Sequence, residues 1–213
     1  MAEGLRERKK RQVKQRISDM ATGLFLEHGF DAVTIAAVAE VADVSVNTVY
    51  NYFPAKEDLF FDREDEVVER PSQLVRERGA GVPAARALLD QLRRDIAERN
   101  PYAGMEPGFP RFMKVVMDSP TLMARLLRMQ GRTVDRLAVT LREETGAAAD
   151  DPTPEFIAHQ LVGMQNAVHR SIGRAQAAGC VPEQISVEVL RQIDVMESLL
   201  SDRVLNYAAK NTP

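Results

Sequence analysis

The sequence predicts an all-α protein, and three observations predict it. Apolar residues recur at spacings of three and four almost throughout the 213 residues. No stretch alternates apolar and polar residues long enough to suggest a sheet. Breaker-rich turns at Asn100–Pro110, Gly146–Pro152 and Gly179–Pro182 separate the later periodic segments, and no internal repeat or low-complexity tract is present.

The first helix is predicted from Arg8 to His28, with an apolar stripe of Val13, Ile17, Met20, Ala21, Leu24 and Phe25. Gly29 stops it as a cap that tolerates positive φ, and Phe30 tucks the chain back. Thr34 caps a short second helix, Ile35 to Val41, and Ser45 caps a third, Val46 to about Phe53. Pro54 suits the first turn of a fourth, ending at Arg70 before Pro71. Longer helices follow at Pro83–Arg99, Phe112–Asp118, Pro120–Glu144, Pro154–Ala178 and Ser186–Ala209. Five breakers between Asn100 and Pro110 mark a loop. Ser119 and Thr153 each offer a capping hydroxyl just before a proline.

Composition narrows the function. Hydrophobic residues make up 45%, so the chain can pack a core and is not globally disordered. One cysteine, Cys180, and the absence of a signal peptide point to a reducing cytoplasm without disulfides. The apolar runs are too short for a membrane span. Net charge is −3, but it is unevenly placed. Residues 1–16 carry seven basic side chains (Arg6, Arg8, Lys9, Lys10, Arg11, Lys14, Arg16) against Glu3 and Glu7, a net +5, leaving −8 for the rest. Such asymmetry suits a protein that touches phosphates at one end, and equally a solvated terminus.

The segment from Thr34 to Leu59 favours the first reading. It forms two short helices joined by a tight turn at Ala42–Val44. Ile35, Val38, Ala39, Val44, Val49 and Phe53 are spaced for a shared core, and Ala36, Ala37, Ala39 and Ala42 permit close approach. Val46, Asn47, Tyr50 and Asn51 are left on the outer side of the second helix, with Thr48 flanking. This is a helix-turn-helix, whose second helix enters the DNA major groove.

Phe25…Gly29-Phe30, Thr34, and above all Thr48-Val49-Tyr50-x-Tyr52-Phe53-x-x-Lys56-Glu57-x-Leu59 resemble the TetR family of transcriptional regulators over residues 12–60. The turn departs from the family in carrying Asp43 where glycine is frequent. The resemblance implies an N-terminal basic arm and helix-turn-helix DNA-binding domain at residues 1–60, and a helical ligand-binding and dimerisation domain at 61–213. It implies that Thr34 and Tyr50 bond phosphates, that Lys56 pairs with another, that Ser45, Val46, Asn47 and Thr48 face base edges, and that Tyr52 lies on the sugar-phosphate backbone. No Arg or Lys lies on the reading helix, which tilts its preference to A·T pairs. The implied partners are double-stranded operator DNA, a second copy bound through the last two helices, and a small molecule.

Methionine and phenylalanine collect in the middle helices, and soft side chains suit an apolar pocket as well as ordinary core filling. Phe109, Phe112, Met113, Met117, Met129, Met164 and Val168 are the candidate apolar walls; Gln130, Gln165 and His169 are the polar ones. His28, His159 and His169 lack the spacing of a metal site, and no cofactor is implied. An enzyme is disfavoured: there is no phosphate loop or nucleophile elbow, and Glu143-Glu144 and Asp150-Asp151 sit at helix ends or turns. The expected function is a ligand-responsive repressor. An activator, or a regulator without ligand control, remains open.

Overall fold

The computed structural model describes residues 4–210 and contains eleven α-helices and one 3-10 turn among them, with no strand. The helices are α1 (Leu5–His28), α2 (Ile35–Val41), α3 (Val46–Tyr52), α4 (Lys56–Phe60), α5 (Glu64–Glu77), α6 (Ala84–Ala97), α7 (Phe109–Asp118), α8 (Pro120–Thr145), α9 (Thr153–Ala177), α10 (Pro182–Ser198) and α11 (Asp202–Leu205). Two compact units result. Unit 1 takes the chain up to Glu64 and residues 111–127; unit 2 takes residues 65–110 and everything from Arg128.

Unit 1 is built on α1. Ile17, Ala21 and Phe25 of its stripe are fully buried, while Met20 is 41% exposed and leaves the stripe. Gly29 ends the helix at φ 83°, its N–H donating to the Phe25 carbonyl at 2.9 Å. Val38, Ala39, Ala42, Val49 and Phe53 complete a core with Leu59 and Phe60.

The predicted fourth helix is two. Asp58 accepts from the Ala55 N–H at 2.8 Å, so α4 starts one residue beyond Ala55 rather than at Pro54. It stops at Phe60, and α5 begins at Glu64. Adjacent helical residues point about 100° apart. Leaving the helix at Phe61 lets both Phe60 and Phe61 pack their rings on Phe112.

In unit 2, α5 runs through Pro71 instead of ending there. The proline forgoes one bond to a carbonyl four residues back. Packing outweighs that cost: Val68, Pro71, Ser72 and Val75 are buried. Flanking side chains also fix the helix, Arg70 to Asp95 and Glu69 to Arg136.

The predicted last helix also divides. Ser201 caps α11, its hydroxyl accepting from the Val204 N–H, and α10 begins earlier, with Pro182 at its first position. Thr153 is the first residue of α9 rather than its cap; Pro152 stands at the cap position, and Asp151 before it accepts from the Thr153 N–H at 2.8 Å. Residues 207–210 then return along the α5–α6 loop: Gly81 N–H donates to Lys210 and Ala84 N–H to Tyr207. Buried Arg78 fastens this return, donating to the carbonyls of Val75, Val82 and Ala208 and pairing with Glu144 at 2.8 Å.

The units differ from a division at residue 60 chiefly in residues 111–127. Val115, Val116 and Leu122 are buried in the unit 1 core, with Phe112, Met113, Met123 and Leu126 packed against it. Their apolar periodicity shows that a face is buried, but not which core receives it.

Candidate nucleic-acid interface and candidate ligand cavity

The helix-turn-helix is fixed by its two caps and its turn. Thr34 Oγ1 accepts from the Ala37 N–H at 3.1 Å. Ser45 Oγ accepts from the Thr48 N–H at 3.0 Å and lies 2.8 Å from Thr48 Oγ1. Each satisfies a donor that the first helical turn leaves orphaned. Between them Asp43 takes φ 51°, the left-handed conformation that glycine adopts most easily and that Asp tolerates better than most residues. Val44 N–H closes the turn on the Ala39 carbonyl at 3.0 Å.

This frame sorts the predicted contact residues. Val46 is 40% and Tyr50 49% exposed, and Asn47 and Asn51 are exposed beside them. Thr34 is exposed at the start of α2. Ser45 and Thr48 commit their hydroxyls to the cap and to each other. Tyr52 is half-buried against the core.

Lys56 Nζ stands 4.3 Å from the centre of the Phe30 ring and 3.5 Å from the Asp31 carbonyl. Desolvation lowers its pKa, opposed by Asp31 and Glu57. It is a half-buried cation anchored on an aromatic face, a cation–π geometry.

The basic residues Arg6 to Arg16 are exposed on the first turns of α1. They are part of a rigid element that ends in the core, since Val13 packs there and Ile17 is fully buried. Lys14 Nζ lies 5.5 Å over the Phe53 ring, at the end of α3. The exposed face of α3 and a cationic helix end therefore belong to one compact unit. That combination offers polar groups for base edges and charge for phosphates.

Residues 17–62 match the model of the bacterial regulatory proteins of the tetR family. These residues form a domain of the TetR family. TcmR, a transcriptional regulator of Streptomyces glaucescens, is 28% identical over 179 residues, covering 80% of this chain and 76% of TcmR. The transcriptional repressor KstR of Rhodococcus jostii is 28% identical over 138 residues, covering 64% of this chain and 63% of KstR, under two thirds of its length. A solved SmeT–triclosan complex shares the fold at a TM-score of 0.58 and 14% identity, covering 91% of this chain and 94% of SmeT. The fold and these relatives are those of transcriptional regulators, not of enzymes.

Within unit 2, a small cavity of about 30 Å³ lies between side chains of α5, α6, α8 and α9. Leucines dominate its wall, and Gln91 and Gln165 are its amides. Its charged end is an ion pair. Arg70 Nη1 and Nη2 stand 2.8 and 3.0 Å from the two Asp95 oxygens, and Asp95 is 2% exposed. Gln91 Nε2 donates to Asp95 at 2.9 Å, and the Arg70 guanidinium lies 3.9 Å from the centre of the Tyr102 ring.

Of the ten residues the sequence offered as a ligand site, Met164 and Gln165 line this cavity. Val168 is buried in the adjoining core, and Met164 packs against that core. The His169 imidazole is enclosed; its Nε2 lies 3.1 Å from the Tyr102 carbonyl, and desolvation lowers its pKa from 6.5 to about 4. Phe109 packs beside Gly104. Met129 and Gln130 are half-buried on α8, and Met117 is 62% exposed. Phe112 and Met113 belong to the other unit, packed half-buried against its core. The sequence grouping therefore divides: α7 spends its aromatic face on Phe60 and Phe61.

Sequence reasoning did not find Arg70 and Asp95. A signal existed, since Asp95 stands in the apolar stripe Leu88, Leu92, Ile96. Among the described residues no group of three or more His, Cys, Asp or Glu could hold a metal ion, and no helix is long and apolar enough to cross a membrane.

Proposed function

We propose that the protein is a homodimeric repressor that binds a two-fold operator and is released from it by a small molecule. The observation that carries DNA recognition is the exposed row Val46, Asn47, Tyr50 on a capped α3, in one unit with the cationic start of α1. Asn47 reads a base, with Val46 beside it on a thymine methyl. Ser45 and Thr48 approach the same edges from the cap. Thr34, Tyr50 and Lys56 bind phosphates, and Tyr52 rests against the sugar-phosphate backbone. The arm and helix-turn-helix at 1–60 read the operator, and residues 61–213 dimerise and bind the ligand. The setting is the cytoplasm.

A second copy is supported by apolar side chains that α9 and α10 leave exposed. Phe156 is 62%, Val187 71%, Val195 49% and Leu199 79% exposed. Val187 and Val195 lie on α10, and Leu199 caps its C-terminal end. Dimerisation sets two reading helices ~34 Å apart, one turn of the major groove. One short helix contacts too few bases to specify a site alone.

The ligand reading is supported by the unit 2 cavity, and SmeT, which shares the fold, is solved as a complex with triclosan. A ligand weakens operator binding only if it prefers a dimer arrangement that DNA does not. A gel-shift titration against DNA flanking its own gene tests the whole reading. Retardation of that DNA over random sequence, reversed by a small molecule, is expected. Equal affinity for both DNAs refutes operator recognition.

A further inference from the structure

Resting on the ligand-responsive reading above, we infer that the unit 2 cavity takes an uncharged, mainly aliphatic molecule carrying one neutral oxygen acceptor, and rejects carboxylates. Leu74, Leu88, Leu89, Leu137, Leu161 and Val162 supply an apolar wall. An aliphatic body gains by leaving water there. The enclosed space holds only a water-sized group, so a ligand enters by displacing side chains, of which Met164 is the most pliable.

The polar end sets the class. Arg70 is the one cation in the cavity wall, and its charge is spent on Asp95 through two direct contacts. Gln91 donates to the same carboxylate, and Tyr102 covers a face of the guanidinium. The pair is neutral as a whole. An incoming carboxylate would be desolvated beside Asp95 with no unspent cation to meet it. An incoming ammonium would find Asp95 already held by Arg70 and Gln91. A carbonyl or hydroxyl oxygen carries no such cost. It accepts from the Gln165 amide or from a guanidinium N–H not aimed at Asp95, since two of the five go there. His169, whose charge would be felt by both Asp95 and Arg70, is neutral at physiological pH, since burial lowers its pKa to about 4.

Octanamide and octanoate are near-isosteric probes of this choice. Calorimetry on the full chain at neutral pH is expected to show octanamide binding at least ~10-fold tighter, by the cost of burying an unpaired carboxylate. Asp95→Asn releases the Arg70 charge and reverses that preference. Should this variant not fold, the wild-type comparison decides alone. Octanoate binding as tightly as octanamide, or no binding of octanamide, overturns the inferred class. A gel shift separates the two readings. Octanamide that binds but leaves the operator complex intact upholds the class and refutes ligand control by it. Octanoate that binds preferentially and dissociates the complex does the reverse.

Discussion

Phe112 lies face to face on Phe60, with ring centroids 4.2 Å apart and planes inclined by 22°. Phe60 in turn meets Phe25 and Phe30, so a residue of α7 closes the aromatic core beneath the helix-turn-helix. Phe112→Ala should therefore damage the DNA-binding unit itself. A buried aromatic truncation costs ~3–5 kcal/mol, and a half-buried ring falls at or below the lower end. A lower melting temperature and weaker operator binding without ligand are expected. Unchanged stability and ligand-free affinity would show that the stack contributes nothing.

Asn47 and Tyr50 should separate reading from anchoring. Asn47→Ala is expected to change base preference at one operator position, costing ~1–3 kcal/mol there if the contact is bidentate. Tyr50→Phe should weaken binding to all sequences alike. Binding to a panel of single-base operator variants measures both. An Asn47→Ala loss that is equal for operator and random DNA removes Asn47 from base reading.

The cationic start of α1 calls for point changes rather than truncation. Deleting residues 1–16 would also remove Val13, which packs on the core. Replacing Lys9 and Lys10 by alanine keeps the helix and removes two exposed charges. If both meet phosphates, the slope of log affinity against log salt should fall by about 0.9 for each. An unchanged slope identifies them as solvated charge only.

The unit 1 core was legible because its signals are local. Thr34 and Ser45 are caps, Gly29 is a stop, and the spacing of Val38, Ala39, Val49 and Phe53 names a shared interior. Local chemistry misled where tertiary packing decides. Pro71 looked like a stop, yet Val68, Ser72 and Val75 on either side of it are buried and Arg70 beside it is ion-paired. Met and Phe on α7 looked like pocket wall because periodicity reveals a buried face without its partner. Asp95 interrupts the apolar stripe of α6 and was visible as such, but its pairing was hidden for the same reason: Arg70 is 25 residues away on another helix. Ser201 followed by Asp202 was a readable cap, hidden inside an otherwise continuous apolar pattern.

On α10, buried and exposed positions should respond in opposite ways. Ile193 is fully buried and Leu190 packs against the same core, so Ile193→Glu buries an unpaired charge and should prevent folding. Val195 and Leu199 are exposed in the single chain. Val195→Glu with Leu199→Glu should leave helicity intact but yield monomer with poor operator binding. Sedimentation velocity and circular dichroism check this together. A double variant that remains dimeric moves the interface elsewhere.

Acid should destabilise the protein through His169 before it reaches the carboxylates. The folded-state pKa is lowered from 6.5 to about 4, by desolvation above all, with Asp95 acting to raise it and Arg70 to lower it. Above pH 6.5 the imidazole is neutral in both folded and unfolded chains and no stability is lost. As pH falls from 6.5 through about 4, the unfolded chain takes up a proton that the folded chain refuses. Unfolding is favoured by up to ~3 kcal/mol over that window, at 1.36 kcal/mol per unit. Glu69 acts lower: hydrogen bonds from Arg136, and from Arg76, hold its carboxyl down to about 2, so its contribution fades below 4.5. Denaturant unfolding across the upper window measures the first effect. His169→Gln keeps a side chain able to bond the Tyr102 carbonyl but cannot titrate, so the decline between pH 6.5 and about 4 should flatten. A slope unchanged in the variant would assign the acid sensitivity to other groups.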